Sequence, residues 1–466
     1  MANSTNNYND FNYDVFPLVV TKDKETTVHI RPQGGRREFV PGEKYELSIN
    51  ALDGGNPKDF PATGDFKKRE IVCNADGGFD ITHTFDKEQE YYLIFRDAED
   101  KKINCFSVYC VDGDLSGRYP FIGDLHMHTN RSDGRETPET VCANYRSYGY
   151  DFTVISDHCR YYPSLDAINF YKDVPIEFNI VCGEEVHLPP VYGKTNDVHI
   201  VNFGGEYSIN ALTEGAANRE VSDAPERRSL NGVCPDVMTY DEYQAKMQEL
   251  ADNVKVPDNV DAVPYAVCKW IFDEIKKANG LGIFAHPTWK RDAYHVPEAF
   301  QDYMFETQPF DAFEVLGGER YFEHNGFQTV RYYEELAKGR RFPIVGSTDS
   351  HSSYFTNPGA YIAATMVFSP ENERKAIISS IKDFRSVAID SISNPEFRLV
   401  GEKRLVRYGC FLLKHFFPRH DELCYEEGRL MKVYANGTDE EKQSAAETLK
   451  FISGRMKKQR EKYFDF

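Results

Sequence analysis

Between residues 16 and 117, short apolar or alternating runs such as Val15–Val20, Tyr45–Asn50, Phe79–Phe85, Tyr91–Phe95 and Phe106–Val111 are separated by clusters of Gly, Pro, Asp and Asn. This rhythm predicts an all-β, sandwich-like domain over 1–118. Beyond Tyr119, strand-like runs (Phe121–His126, Phe152–Ser156, Phe178–Cys182, Val198–Phe203, Leu281–Ala285, Ala312–Leu316, Phe342–Gly346) alternate with helical stretches. The alternation predicts an α/β domain over 119–395, with a largely parallel sheet or barrel. Between Pro264 and Ala278, Val267, Trp270, Ile271 and Ile275 fall at helical spacing and Gly280 follows as a stop signal, which predicts one helix on the outside of that domain. The stretch 204–261 has weaker periodicity and a polar run at Asn218–Ser229, and reads as an insertion, placed like a lid. Residues 396–466 are amphipathic and rich in helix formers, which predicts a helical C-terminal extension.

Composition narrows the class. A chain of 466 residues with 41% hydrophobic and 14% aromatic side chains has ample material for a core, which excludes global disorder. Acidic residues outnumber basic ones by 74 to 55, a net charge of −19, which disfavours nucleic acid as the main partner. No apolar run is long enough for a membrane span, and the Asn-rich N-terminus lacks the pattern of a signal peptide. Ten scattered cysteines without a CxxC pair fit reduced thiols and a cytoplasmic location.

The chemistry lies where acids and imidazoles fall. Most strand-like runs of the second domain end in a metal-ligand type: Asp124-Leu-His-Met-His128, Asp157-His158, Glu184-Glu185, His286 and Asp349-Ser-His351, while His199 lies inside its run. Strand ends of a β/α barrel converge on one mouth, so residues distant in sequence can meet there. His126 and His128, two apart, project to one side of an extended segment. Nine of the thirteen histidines lie between 121 and 351.

The runs Phe121-Ile-Gly-Asp-Leu-His-Met-His-Thr129, Ser132-Asp-Gly134, Ile155-Ser-Asp-His158, Gly183-Glu-Glu-Val186, His199-Ile-Val-Asn-Phe-Gly204, Phe284-Ala-His-Pro287 and Gly346-Ser-Thr-Asp-Ser-His351 resemble the polymerase-and-histidinol-phosphatase (PHP) family of metal-dependent hydrolases. The resemblance covers about residues 119 to 395, and the preceding β-domain is similar in architecture to the carbaryl-hydrolase-like (CehA/McbA) subgroup. It implies a distorted (β/α)7 barrel that holds two to three divalent metal ions. Carried over by position, it implies that His126, His128, Glu185 and Asp349 hold one metal, that Glu185 bridges to a second held by His199 and His286, and that Asp133, His158 and His351 hold the third. Asp157 is expected to orient a ligand.

Imidazole and carboxylate without thiolate suit Mn²⁺, Zn²⁺ or Fe²⁺. Cys159 and Cys182 read as packing residues. Clustered cations acidify bound water and neutralise charge on the attacked group, so a metal-bridging hydroxide is the expected nucleophile. Arg160 is the first candidate to face a phosphate, then Lys290, Arg291 and His295; each also reads as a solvated loop group. His187 is a candidate proton donor to a leaving group, and Arg219, Arg227 and Arg228 could clamp substrate if the insertion closes. The expectation is a multinuclear phosphoesterase acting on a small-molecule phosphate ester. A carboxylic ester, carbamate or amide hydrolase is the alternative within enzymes, and a non-catalytic metal-stabilised binding protein the alternative outside them. Oligomeric state is not legible in these patterns.

Overall fold

The computed structural model describes residues 12–34, 38–54, 67–215, 224–317, 322–354, 363–391 and 398–466. The chain divides into two compact units, one made of Met1–Arg118, Lys403–His420 and Gly454–Phe466, the other of Tyr119–Glu402 and Asp421–Ser453. The helices of the C-terminal segment, Lys403–His415, Phe417–Asn436, Asp439–Ile452 and Arg455–Tyr463, are thus shared between the units.

The first unit contains β1 (Tyr13–Phe16), β2 (Val19–Thr21), β3 (Glu25–Pro32), β4 (Lys44–Ala51), β5 (Lys68–Val72), β6 (Phe79–Thr84), β7 (Gln89–Arg96) and β8 (Lys102–Val111). One sheet has the order β1-β3-β6; the other runs β2-β8-β7-β4-β5, with Phe464–Asp465 added beside β2. Aromatic rings from the two sheets meet, Phe79 on β6 with Phe95 on β7 at 4.5 Å between centroids. That contact is the alternating apolar face of each strand buried against the other sheet. The C-terminal strand is pinned by Tyr463, whose hydroxyl donates to the buried Asp14 Oδ1 at 2.8 Å.

The second unit contains β9 (Tyr119–Asp124), β10 (Phe152–Val154), β11 (Asn179–Val181), β12 (Gly183–Val186), β13 (Ile200–Phe203), β14 (Leu281–Phe284), β15 (Ala312–Leu316), β16 (Ile344–Gly346), β17 (Ala363–Ser369), β18 (Ser386–Asp390) and β19 (Arg398–Val400). Among the described residues these form two open sheets, β11-β10-β9-β17-β18-β19 and β12-β13-β14-β15-β16, rather than one closed ring of seven. Parallel pairs (β9 with β10, β10 with β11, β14 with β15, β15 with β16) are mixed with antiparallel ones. The expected largely parallel arrangement is therefore corrected to a mixed α/β fold. Part of the reason is local: the link from β12 to β13 contains no helix to carry the chain back across the sheet, so the two strands pair antiparallel. Apolar residues of both sheets, among them Phe121, Phe152, Val201, Ile283 and Val345, share one core, and isolated bridges at Met127–Ser350 and His158–Glu185 join the sheets at their ends.

The helix expected between Pro264 and Ala278 spans Ala262–Lys277, and the Asp261 side chain caps it by accepting from the Val263 N–H at 3.0 Å. The segment read as an insertion carries a second helix, Tyr240–Asn253, opened by a capping box in which Thr239 and Glu242 satisfy each other's backbone N–H. Its Tyr243 and Met247 are fully buried in the same core as Trp270 and Ile271. Arg146 is fully buried on helix Pro138–Ser147, and its Nε and Nη2 donate to Glu427 Oε2 at 2.8 and 2.6 Å. Breaking such a buried pair costs about 3–5 kcal/mol.

Candidate metal centre

The chain leaves β9 in an extended stretch held on both sides. Asp349 N–H donates to the His126 carbonyl at 2.8 Å and His128 N–H to the Ser350 carbonyl at 2.9 Å, which lays the His-x-His segment along the loop after β16. Asp349 Oδ1 consequently lies 2.9 Å from His128 Nε2 and 3.3 Å from His126 Nε2. Asp349 and His286 have positive φ angles of 46° and 22°, a cost that non-glycine residues carry where the surrounding structure fixes a functional geometry.

Glu185 is the hub. Six imidazoles surround its fully buried carboxylate: His158 Nδ1 lies 2.6 Å from Oε2 and His199 Nδ1 2.7 Å from Oε1, with His126, His128 and His187 at 3.5, 3.6 and 3.5 Å and His286 at 3.9 Å. Close as these rings are, no hydrogen bond of regular geometry from the protein reaches either oxygen of Glu185, and His126 Nε2 and His286 Nε2 are likewise buried without one. A buried carboxylate in that condition is strongly destabilising unless something else binds its lone pairs. Ligand atoms lie within 4.8 Å of one another in several overlapping sets: His126, His128 and Glu185; His128, Asp133, His158 and His351; His126, His286 and Glu314; His158, Glu185 and His187. Donors that are all nitrogen or oxygen, with orphaned lone pairs converging, fit divalent cations. The nearby thiols are turned to backbone carbonyls, Cys159 Sγ to His187 O at 3.9 Å and Cys182 Sγ to Gly205 O at 3.3 Å.

His199 directly precedes β13 rather than lying within a strand. Because β13 runs antiparallel to β12 and β14, its starting end comes to the same mouth as the finishing ends of its neighbours. Adjacent residues on β12 face opposite sides. Glu185 faces the imidazoles, while Glu184 accepts from Ser208 Oγ at 2.6 Å and Asn210 Nδ2 at 2.9 Å.

Surrounding carboxylates hold the frame. Asp124 accepts from the His126 N–H at 3.1 Å and the Thr348 N–H at 3.0 Å, tying β9 to the Asp349 loop. Asp157 accepts from Thr129 N–H at 2.8 Å, Thr129 Oγ1 at 2.6 Å and Ser132 Oγ at 2.5 Å. It therefore braces the loop that presents Asp133, acting through that loop rather than through an imidazole. The carboxylate that does hold an imidazole is Glu314, which sequence reasoning missed: it accepts from His126 Nδ1 at 3.0 Å, fully buried. Its signal was an acid in the middle of the apolar strand Ala312–Leu316. His324, also missed, is buried with Nδ1 2.9 Å from Thr288 Oγ1.

The protein's own charges already balance one another across the centre. Burial raises the Glu185 and Asp349 carboxyls, yet the histidines around them hold both well below the usual carboxylate range. Burial opposes charge on His158, but Glu185 and Asp133 carry it up to about 11. Burial, then His158, bring His128 down to about 4. Both carboxylates therefore stay ionised.

The remaining expected residues are placed as follows. His187 joins the cluster, its Nε2 3.1 Å from His158 Nδ1. His295 packs its ring on Trp289 at 3.8 Å, with His199 at 6.0 Å. Arg160 Nη1 donates to the Arg131 carbonyl and lies 3.3 Å from the Tyr162 hydroxyl, not on the imidazoles. Lys290 pairs with Glu323 at 3.2 Å, Arg291 is exposed, and Arg228 donates its N–H to the Pro225 carbonyl. Arg219 lies outside the described residues.

No family model matches the chain, and no curated protein matches it. Among solved structures it is similar to a two-domain protein from Bacteroides vulgatus containing a predicted PHP-like metal-dependent phosphoesterase, at 17% identity over 64% of this chain and 71% of that one, with a TM-score of 0.38. It is also similar to a protein from Bifidobacterium adolescentis described as a metal-dependent phosphoesterase, at 19% identity over 49% and 87% of the two chains, TM-score 0.31. An amidohydrolase from Chromobacterium violaceum follows at 18% identity, 49% and 87%, TM-score 0.30.

Among the described residues, no helix is long and apolar enough to cross a membrane.

Proposed function

We propose that the chain is a divalent-metal-dependent hydrolase that cleaves a phosphate ester of a small molecule. The observation that carries this reading is Glu185: a buried, ionised carboxylate with two unsatisfied oxygens inside a shell of six imidazoles. In this reading His126, His128, Glu185 and Asp349 hold one ion, Glu185, His199 and His286 a second, and Asp133, His158 and His351 a third, with Mn²⁺, Fe²⁺ or Zn²⁺ suited to the donor set. Bound, such ions supply Lewis acidity and bring coordinated water towards neutral pKa.

The chain's own residues do the rest. Asp124 and Glu314 hold His126 in place from its two ends, and Asp157 fixes the loop of Asp133. Asp133, His158 and His351 form the solvent-facing rim, with side-chain exposures of 56, 28 and 34%, so substrate approaches from that side. His187, whose Nε2 lies 3.1 Å from His158 Nδ1, is our candidate for the proton donor to a leaving oxygen.

Changing both His126 and His128 to Ala should remove bound transition metal, read by inductively coupled plasma mass spectrometry, and reduce hydrolysis of p-nitrophenyl phosphate to background. Wild-type turnover in that variant would sink the proposal. Preference for p-nitrophenyl acylates over phosphates in the unmodified protein would replace the phosphoesterase reading with a carboxylic ester one.

A further inference from the structure

Helices Tyr240–Asn253 and Ala262–Lys277 pack against each other, with Tyr243 and Trp270 at 6.2 Å between ring centroids, and leave between them a groove of about 770 Å³. That volume falls within the range of about 300–1,000 Å³ common to small-molecule sites. The groove follows from the helical repeat. Lys246, Leu250 and Val254 recur every fourth residue along the first helix and its C-terminal cap, and Ala266, Trp270 and Glu274 along the second, so each helix turns one face to it. Leu250, Val254, Ala266 and Trp270 supply an apolar floor, of which Leu250 stays 39% exposed.

The rim is cationic. Four lysines, Lys246, Lys269, Lys276 and Lys277, stand against two acids, Asp273 and Glu274. Each acid answers one lysine, Asp273 Oδ2 lying 2.7 Å from Lys269 Nζ and Glu274 Oε1 2.7 Å from Lys277 Nζ. Among the described residues Lys246 and Lys276 pair with no carboxylate, so the groove keeps two positive charges in excess within a protein whose net charge is −19. Lys246 Nζ stands 5.2 Å from the centroid of the Trp270 ring, which sets its ammonium over the apolar floor. An apolar floor beneath unpaired ammonium groups complements a molecule that is apolar along its body and anionic at one end.

We infer that this groove binds a small amphiphilic anion, whose apolar body lies on Leu250, Val254, Ala266 and Trp270 and whose carboxylate or sulfonate head meets Lys246 and Lys276. No residue of the metal centre lines it, so the site is independent of the hydrolase reading.

The test titrates the metal-loaded full chain with 8-anilinonaphthalene-1-sulfonate, followed by dye fluorescence, and displaces the dye with dodecanoate. One dye should bind per chain, dodecanoate should release it, and excess inorganic phosphate should not. The uncharged analogue N-phenyl-1-naphthylamine should bind more weakly. Lys246→Gln should raise the dye's Kd about two- to fivefold, the scale of one exposed ion pair. Lys246→Glu combined with Lys276→Glu should raise it at least about tenfold, as should Leu250→Glu, which removes part of the floor and adds a repelling charge. Melting temperature and metal content should be retained in each variant, and Lys375→Gln, exposed on helix Arg374–Lys382, should leave the Kd as it is. Equal affinity for the charged and uncharged probes, displacement of the dye by phosphate, or a Kd that survives both the double lysine variant and Leu250→Glu overturns the inference.

Discussion

His126 donates from Nδ1 to Glu314 Oε2 at 3.0 Å, and both side chains are fully buried. The bond fixes the imidazole tautomer that leaves the Nε2 lone pair aimed between Glu185 and Asp349.

Glu314→Leu keeps bulk but removes the acceptor, so affinity for the bound ion should fall about 10- to 100-fold. Glu314→Gln retains an acceptor and should lose less. Gly317→Ala should act in the same direction, because a Cβ there would come within 2.2 Å of Glu314 Oε1. Chelator competition with Mn²⁺ or Zn²⁺ reads all three; unchanged affinity in Glu314→Leu would show that His126 is oriented without its partner.

Glu184 and Glu185 should part company on mutation. Glu185→Gln should abolish metal retention, since it removes the charge at the hub. Glu184→Gln should keep metal stoichiometry yet destabilise the fold by about 1–3 kcal/mol, because its amide N–H₂ would face N–H donors in either orientation, Ile209 N and Asn202 Nδ2 on one side or Asn210 Nδ2 on the other. Metal analysis beside urea unfolding separates the two effects, and loss of metal from Glu184→Gln would mean the strand's two faces are not independent.

The charge balance at the hub sets a pH dependence for protein stripped of metal. His158 titrates near 6.5 in an unfolded chain and is carried to about 11 in the folded one, so the stability it contributes is complete below about pH 6.5 and is lost as pH rises towards 11. Glu185 and Asp349 are depressed, so theirs is present above the usual carboxylate range and lost only in acid. The melting temperature of the stripped protein should therefore decline above pH 6.5, and His158→Asn should flatten that decline. Metal affinity should rise over the same interval, because the ion binds neutral imidazole and releases the proton. A flat melting profile in the stripped wild type would show that His158 is not held as a cation.

Much of the chemistry was legible along the chain because it is written in short spacings. The His126-x-His128 pair, the Asp-His step at 157–158 and the Asp-x-His step at 349–351 carry donor type and order by themselves, and helix Ala262–Lys277 follows from local periodicity and a cap. Even helix Tyr240–Asn253 had a signal in its Thr239-x-x-Glu242 box.

Alternation along β12 fixes that Glu184 and Glu185 face opposite ways, but only the sheet's packing decides which face is the centre. His199 reaches the mouth because β13 runs antiparallel, and Glu314 becomes the brace of His126 although 188 residues separate them. The two open sheets, the strand Phe464–Asp465 beside β2 and the approach of Arg131 and Arg227 to Asp166 are likewise pairings between distant segments. Local sequence sets propensity, parity and donor type; which distant partner a face or a charge meets is settled by the burial of the whole chain, and that belongs to tertiary structure alone.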